Sequence, residues 1–156
     1  DDQSPVSLAT LDAVERLRQS GDAFDSVTQL MANCPLRGPA HIADAVAAFE
    51  ASHADFQLSC FKFGWMNPWW AFRRAPDGAA APLFPEAMSA RSQDLEPLYC
   101  PSGAIWIART DALRSARTFH GPGARFLPMP WQAAIDIDDE DDVEMASAVL
   151  ASRTGR

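Results

Sequence analysis

Lysine is almost absent from this chain of 156 residues, and Lys62 is its single example. The 13 basic residues are outnumbered by 21 acidic residues, which gives a formal net charge of −8 at pH 7. Surfaces that bind nucleic acids or anionic membranes need clustered cations. The charge balance therefore argues against a nucleic-acid partner and against a membrane partner.

Cysteines are few, and long apolar runs are missing. Cys34, Cys60 and Cys100 are far apart and form no C-x-x-C pair, so neither a zinc ribbon nor a redox pair is indicated. No apolar run approaches the ~20 residues of a membrane span. The opening DDQSPVSLAT lacks the pattern of a signal peptide. We therefore expect a cytoplasmic protein in a reducing compartment.

Familiar nucleotide-binding and hydrolase motifs are also missing. The eight glycines form neither G-x-x-x-x-G-K-[ST] nor G-x-G-x-x-G. No G-x-S-x-G occurs, so Ser102 in PSGA is not a nucleophile elbow. The sequence thus excludes the common glycine-rich phosphate loops and the α/β-hydrolase arrangement.

The patterns that are present predict a single α/β domain over residues 1–156. The length suits one domain, and a hydrophobic content of 47% supports a core. Helical and alternating periodicities follow one another along the chain, which is typical of an α/β fold. We predict helices at residues 4–19 (with Ser4 as N-cap), 39–53, 110–116 and 139–152, and strands at residues 25–31, 55–63, 102–108, 124–130 and 133–138.

Residues 65–100 differ from the rest because they are dense in proline, glycine and aromatics. A structureless segment of that length is improbable inside a domain, so we expect a hairpin or a small lid with ordered loops. The adjacent Trp69 and Trp70 cannot both point into one core. They suggest a contact between subunits or domains, or a stacking wall for a ligand.

The acidic run AAIDIDDEDDVEMA places six carboxylates between residues 136 and 142. Its first part has period two, so Asp136 and Asp138 share one face of a strand and lie roughly 6.5–7 Å apart at Cα. Such a pair suits Mg²⁺, which takes one or two carboxylates together with substrate phosphate oxygens. The pair is also predicted at a strand end, where α/β folds bind ligands.

A solvated helix start is the alternative interpretation of the same run. Carboxylates in a first helical turn contribute about 0.3–1 kcal/mol each through the helix dipole, which accounts for residues 139–142 without any function. An EF-hand is excluded, because Asp141 and Ser147 stand where that loop needs glycine and glutamate. For Asp136 and Asp138 the pattern alone leaves both interpretations open.

Four stretches, in order and spacing, resemble one family. They are QLMANCPLR, NPWWA, RSQDLEPLYCPSGAIWIA and AIDIDDEDDVEMA, and the likeness runs from about residue 4 to residue 150. The sequence resembles the acylneuraminate cytidylyltransferases, which include CMP-sialic acid synthetases and their relatives for pseudaminic and legionaminic acids. The resemblance implies a Rossmann-like three-layer α/β/α sandwich with a mixed, mostly parallel sheet.

The resemblance implies an activity and a metal. The family joins CTP to a nine-carbon acidic sugar, whose anomeric hydroxyl attacks the α-phosphate and releases pyrophosphate. Asp136 and Asp138 match the family's metal-binding D-x-D, which implies that they are catalytic and hold Mg²⁺, with Mn²⁺ as an alternative. The family also implies a homodimer, with residues 65–85 at or near the subunit contact.

The resemblance further implies substrate-binding residues. Residues 31–37 match the family's sugar-contacting Q-P-T-S-P-L-R, with Met31 and Cys34 as departures. The matching positions imply sugar contacts by six residues: Asn33, Arg37, Arg91, Gln93, Ser102 and Phe119. The departures leave the identity of the nine-carbon acid open.

The family's phosphate loop, which resembles A-R-x-G-S-K-x-x-x-x-K-N, has no counterpart in this sequence. We therefore expect an N-terminally truncated cytidylyltransferase-like domain that is inactive in isolation. The alternative is a non-catalytic module that binds a sugar or a partner on the same scaffold.

Overall fold

The computed structural model describes residues 5–154, and the predicted helix cap at Ser4 lies outside this range. The chain forms two compact units: residues up to Phe61 and from Pro101 onward form the first, and Lys62–Cys100 form the second. Within the described range, no helix is both long and apolar enough to cross a membrane.

The described residues form four helices and six strands, and four of the strands follow one another between the second and third helices. The helices are α1 (Val6–Gln19), α2 (Pro39–Ser52), α3 (Thr110–Ala116) and α4 (Glu140–Thr154). The strands are β1 (Ser26–Gln29), β2 (Phe56–Lys62), β3 (Phe72–Arg74), β4 (Ala80–Pro82), β5 (Tyr99–Arg109) and β6 (Arg125–Pro128).

A four-stranded sheet with the order β1-β5-β2-β6 forms the centre of the first unit. Strand β1 pairs antiparallel with β5, with Ser26 opposite Arg109. Strand β2 pairs parallel with β6, with Gln57 opposite Arg125. The sheet is therefore mixed.

Helices cover both faces of this sheet because side chains of β5 alternate between two cores. Ile105 and Ile107 belong to the core that contains Phe49 of α2. Ala108 belongs to the other core, with Leu113 of α3. Successive strand residues point to opposite faces, so α2 and α3 lie on opposite sides of the sheet. The predicted three-layer α/β/α sandwich is confirmed.

Helix α1 lies next to α3 and is tied to it by charge. Glu15 accepts hydrogen bonds from Arg114 Nε at 2.5 Å and from Arg18 Nε at 3.0 Å. These bonds, chiefly that from Arg114, lower the pKa of the Glu15 carboxyl. Exposed ion pairs add little stability, so the buried Leu11 and Val14 account for most of the attachment of α1.

The strand predicted at residues 133–138 is wrong. After Pro130 the chain makes a 3₁₀ turn, in which the N–H groups of Ala133 and Ala134 bond to Pro130 O and Trp131 O. This turn removes both alanines from an extended conformation. The residues that follow have no ladder partner among the described strands, although the Ile137 N–H donates to Asn33 O at 2.9 Å.

The second unit contains the expected hairpin. Strand β3 pairs antiparallel with β4, with Phe72 opposite Pro82. The connection closes through Gly78, whose φ of +89° is unstrained only for glycine. Asp77 Oδ1 accepts the Ala79 N–H at 3.0 Å and fixes the turn.

The tryptophans of the second unit have different environments. Trp69 and Trp70 are half-buried, and their indole N–H groups donate to Glu96 O and Ala87 O. The ring of Trp69 also meets Phe84 edge-on, with 4.9 Å between ring centroids. Trp65 is 86% exposed. Trp69 and Trp70 thus make their contacts within the second unit, and Trp65 is more exposed than either.

A glycine in the first unit sets up the first testable prediction. A Cβ on Gly121 would lie 2.2 Å from Cε2 and 2.4 Å from Cζ of Phe56, which is 3% exposed. We expect Gly121→Ala to lower the free energy of unfolding by about 1–3 kcal/mol, because overpacking displaces a buried ring. Urea denaturation followed by circular dichroism measures this change.

The matched control is Gly64→Ala, since nothing lies within 4 Å of a Cβ at Gly64. Its unfolding midpoint should equal that of the parent. Equal midpoints for all three proteins would contradict the close approach of Gly121 to Phe56.

Candidate active site

The NCPLR loop, residues 33–37, connects β1 to α2 and is anchored by two inward-pointing side chains. Cys34 is 2% exposed and joins the core with Phe49. Leu36 is buried against Ile135. Between them, these anchors leave Asn33 half-buried at the start of the loop.

Asn33 joins this loop to the DID segment, residues 136–138. The backbone oxygen of Asn33 accepts the Ile137 N–H at 2.9 Å. Its Nδ2 donates to Asp138 Oδ1 at 3.3 Å, with a longer contact of 3.5 Å to Ile137 O. Positions more than 100 residues apart in sequence thus meet through backbone and side chain together.

The DID segment presents both carboxylates outward. Asp136 and Asp138 are exposed, whereas Ile135 is buried and Ile137 half-buried. The predicted alternation is therefore confirmed although the strand is not. In residues 5–154, no group of three or more His, Cys, Asp or Glu side chains could hold a metal by itself. A cation on these two carboxylates would need substrate oxygens and water, which is the usual condition of Mg²⁺.

The rest of the acidic run starts α4, as its alternative interpretation predicts. The Asp142 N–H donates to Asp139 Oδ1 at 3.1 Å, and Asp142 Oδ2 accepts the Asp139 N–H at 3.2 Å. This reciprocal pair is a capping box. Asp142 Oδ2 also accepts the Asp138 N–H at 3.0 Å, so the helix cap holds the end of the DID segment in place.

The charges of the two carboxylates act on the thiol of Cys34. Burial raises the pKa of its thiol above the usual range, and the negative charge of Asp136 raises it further, with a smaller contribution from Asp138. Arg37 acts in the opposite direction. Cys34 Sγ lies 3.9 Å from Asn33 Oδ1. The thiol is thus kept protonated and is a poor nucleophile here.

Arg37 fixes the loop to the sheet. Its Nη1 donates to Met31 O at 3.0 Å and to Ala104 O on β5 at 2.7 Å. The side chain is half-buried. Arg37 is predicted to contact the sugar. Its Nη1 nitrogen is instead hydrogen-bonded to two backbone oxygens.

Ser102 and Phe119 lie in the interior. Ser102 is 6% exposed, and its Oγ lies 2.8 Å from Ser59 Oγ. Phe119 is 0% exposed and packs against Trp106, with ring centroids 5.7 Å apart. Both side chains therefore have partners in the interior. The predicted role of each in sugar binding stays a prediction.

Arg91 and Gln93 belong to the second unit. Arg91 pairs with Asp94 through two hydrogen bonds, Nε to Oδ2 at 2.7 Å and Nη2 to Oδ1 at 3.1 Å. Gln93 Oε1 accepts a long contact from Ser92 Oγ at 3.4 Å. Their predicted contacts with the sugar are likewise untested.

One residue that supports the loop was missed at the level of sequence. A Cβ on Gly103 would lie 2.9 Å from Met31 Cγ, so Gly103 lets Met31, two residues before the NCPLR loop, approach β5. The signal was present, because a glycine inside a strand pattern marks a close approach. No sequence signal points to Ala104 O as the acceptor for Arg37.

Comparison with protein-family models gives no match. Three curated relatives from Streptococcus agalactiae, of serotypes V, III and Ia, are named N-acylneuraminate cytidylyltransferase. Each is 27% identical over 113 residues, which cover 72% of this chain and 27% of the relative. The chain thus spans about a quarter of the length of the curated relatives it matches.

A solved structure has a similar fold. It is the 4-diphosphocytidyl-2C-methyl-D-erythritol synthase of Anaerococcus prevotii, with a TM-score of 0.61 and 10% sequence identity. The likeness covers 96% of this chain and 68% of that one. The predicted resemblance is confirmed: this chain is similar to the curated N-acylneuraminate cytidylyltransferases, and its α/β fold is similar to that of the synthase.

Proposed function

We propose that this chain carries the metal- and sugar-binding part of a cytidylyltransferase that joins CTP to a nine-carbon acidic sugar. The products would be a CMP-sugar and pyrophosphate. Support comes from the names of the relatives at 27% identity and from the arrangement around Asn33. The nine-carbon acid is not specified further.

One observation carries the proposal, namely that Asn33 bonds to the DID segment. Its Nδ2 donates to Asp138 Oδ1, and its backbone oxygen accepts the Ile137 N–H. The stretch that matches the family's sugar loop is thereby fixed against the stretch that matches its metal ligands. A reaction between a sugar and a metal-bound phosphate needs such proximity.

Asp136 and Asp138 would hold Mg²⁺ or Mn²⁺. When bound, the ion neutralises charge on the phosphate oxygens and orients them. Asn33 would keep Asp138 in position and offer its amide oxygen to the sugar. The capping box of α4 fixes the Asp138 N–H from the other side. The chain would thus contribute two carboxylates that bind the cation and an asparagine that positions one of them.

The second candidate function is a non-catalytic module that binds a sugar or a partner. It is favoured by Arg37, whose Nη1 donates to two backbone carbonyls instead of facing a phosphate. Polyphosphates need cations and N–H donors. The two functions differ in their need for a divalent cation.

Assembly and location belong to the proposal as well. We propose a cytoplasmic homodimer. The resemblance places the contact at residues 65–85, and within that segment Trp65 and Met66 are 86% and 61% exposed.

Metal binding gives the second testable prediction. Asp136→Asn should weaken Mn²⁺ binding to residues 1–156 by about tenfold or more, because even changes to residues outside the metal's own ligands cost 10–100-fold. Electron paramagnetic resonance of free Mn²⁺ measures the affinity.

Asp141→Asn is the control, since it removes the same charge from the first turn of α4. It should bind Mn²⁺ nearly as the parent does. Equal losses in both variants would indicate diffuse attraction to the acidic run. No Mn²⁺ binding by the parent would favour the non-catalytic module.

Turnover gives the third prediction. With CTP, Mg²⁺ and sialic, pseudaminic or legionaminic acid in turn, residues 1–156 should release no pyrophosphate above background. The reason is that few cations remain for the phosphates, because the chain has one lysine and Arg37 Nη1 is hydrogen-bonded to backbone oxygens. Loss of one donor to developing charge costs about 10²–10³ in rate, and several are needed.

The complete gene product that contains this sequence is the second arm of the assay. There we expect pyrophosphate release that Asp136→Asn reduces by about 10²–10³. Release from residues 1–156 that Asp138→Asn abolishes would contradict the third prediction. Full activity of Asp136→Asn in the gene product would reject the catalytic assignment.

A further inference from the structure

Strand β5 contains one extra residue where it passes the candidate site. The regular register places Gln29 of β1 opposite Trp106 of β5. Two residues after Gln29, the Met31 N–H donates to Gly103 O at 3.4 Å, and Gly103 is three residues away from Trp106. An extra residue on one strand of an antiparallel pair is a β-bulge, and bulges are common beside active sites. A glycine within a strand is typical of one. Strand β5 therefore has a bulge at Gly103 and Ala104.

The bulge turns two consecutive carbonyl groups of β5 toward the segment that enters the site. Continued without a bulge, the register would place Ala104 opposite Met31. Because the Met31 N–H bonds to Gly103 O instead, Ala104 O is available to accept Arg37 Nη1, which lies 2.7 Å away. Neighbouring residues of a regular antiparallel strand direct their carbonyl groups to opposite sides. The attachment of the NCPLR loop to β5 therefore depends on the bulge.

Ser59 of β2 bonds to the bulge from the other side. Its hydroxyl donates to Ser102 O at 3.1 Å and accepts the Ile105 N–H at 2.9 Å. Ser102 and Ile105 are the two residues that flank the bulge. Ser102 Oγ lies 2.8 Å from Ser59 Oγ, close enough to donate to it. A serine hydroxyl has one donor and two acceptor sites. The Ser59 hydroxyl thus uses all three sites on the residues next to the bulge.

Burial makes these bonds hard to replace. Ser59 is 4% exposed, and Ser102 is 6% exposed. If the Ser59 hydroxyl is removed, the Ile105 N–H loses a partner in a place that water does not reach. A buried donor left without a partner costs more free energy than the bond itself contributes. The irregular backbone at the bulge is then less favourable relative to a regular pairing with β1.

We propose that Ser59 is a positioning residue of the candidate site, because its hydroxyl holds the bulge that provides acceptors for Met31 and Arg37. Loss of the bulge moves the NCPLR loop, and with it the Asn33 oxygen that accepts the Ile137 N–H. Ser59 acts through the backbone of β5. The consequence for metal binding rests on the proposed function, whereas the consequence for the bond between Asn33 and Ile137 does not.

Amide hydrogen exchange of residues 1–156, followed by nuclear magnetic resonance, tests the proposal without a metal. Ser59→Ala should raise the exchange rate of the Ile137 N–H by about threefold or more, which is the size expected for a residue that acts through an intervening network. Ser59→Thr keeps the hydroxyl, and a cavity of about 20 Å³ lined by Ser59 has room for the added methyl group. Its exchange rate should equal that of the parent.

The matched control is Ser7→Ala. Ser7 is 7% exposed, and its Oγ accepts the Phe119 N–H at 3.3 Å, so this change also removes a buried hydroxyl that bonds to a distant backbone N–H. It should leave the exchange rate of the Ile137 N–H close to that of the parent. Equal increases in the two alanine variants, or no increase in Ser59→Ala, would overturn the proposal. If Ser59→Ala does not fold, Ser59→Cys and Ser7→Cys replace the two variants with the same expectations.

Mn²⁺ affinity, measured by electron paramagnetic resonance, connects the bulge to the proposed function. Ser59→Ala should weaken Mn²⁺ binding by about threefold or more, whereas Ser59→Thr and Ser7→Ala should bind as the parent does. If the parent binds Mn²⁺ and Ser59→Ala binds it equally well, the positioning role is overturned. If the parent binds no Mn²⁺, the proposed function fails, and the exchange rates alone decide whether Ser59 positions the loop.

Discussion

The hydrogen bonds of Asn33 hold the candidate site together. The backbone oxygen of Asn33 accepts the Ile137 N–H at 2.9 Å, and its side chain reaches Asp138. The DID segment has no ladder partner among the described strands, so this junction takes the place of one. Without it, the DID segment would lose its backbone hydrogen bond to the NCPLR loop.

The residues around this junction are arranged to leave it rigid. Arg37 ties the loop to β5 through Ala104 O, and Gly103 lets Met31 come close. The capping box of α4 holds the Asp138 N–H through Asp142. The acidic run therefore has two roles. Its second half starts a helix, and that helix start fixes the residue that ends its first half.

The layers of the fold could be predicted from the sequence because they depend on periodicity. The alternation in β5 and the apolar stripes of the helices determine which faces meet. The strand at residues 133–138 could not, because alternation shows which side chains point inward and does not show whether a neighbouring strand exists. The turn after Pro130 decides that point through local hydrogen bonds.

The candidate site divides in the same way. Asn33 and Asp138 were predicted as site residues and share a hydrogen bond, and the predicted Asp136 is exposed two residues earlier. Ser102 and Phe119 were predicted from matched positions and lie in the interior. Burial depends on contacts between distant segments, such as Ser59 with Ser102, which no local pattern reports.

The central claim is that Asn33 positions Asp138 to hold a divalent cation. A double-mutant cycle on Mn²⁺ affinity, with Asn33→Ala, Asp138→Asn and the double variant, tests it most directly. If the account is right, each single change weakens binding and the double variant binds as Asp138→Asn does, because Asn33 acts through that carboxylate. Losses in affinity that multiply in the double variant would show that the two residues act independently and would contradict the account.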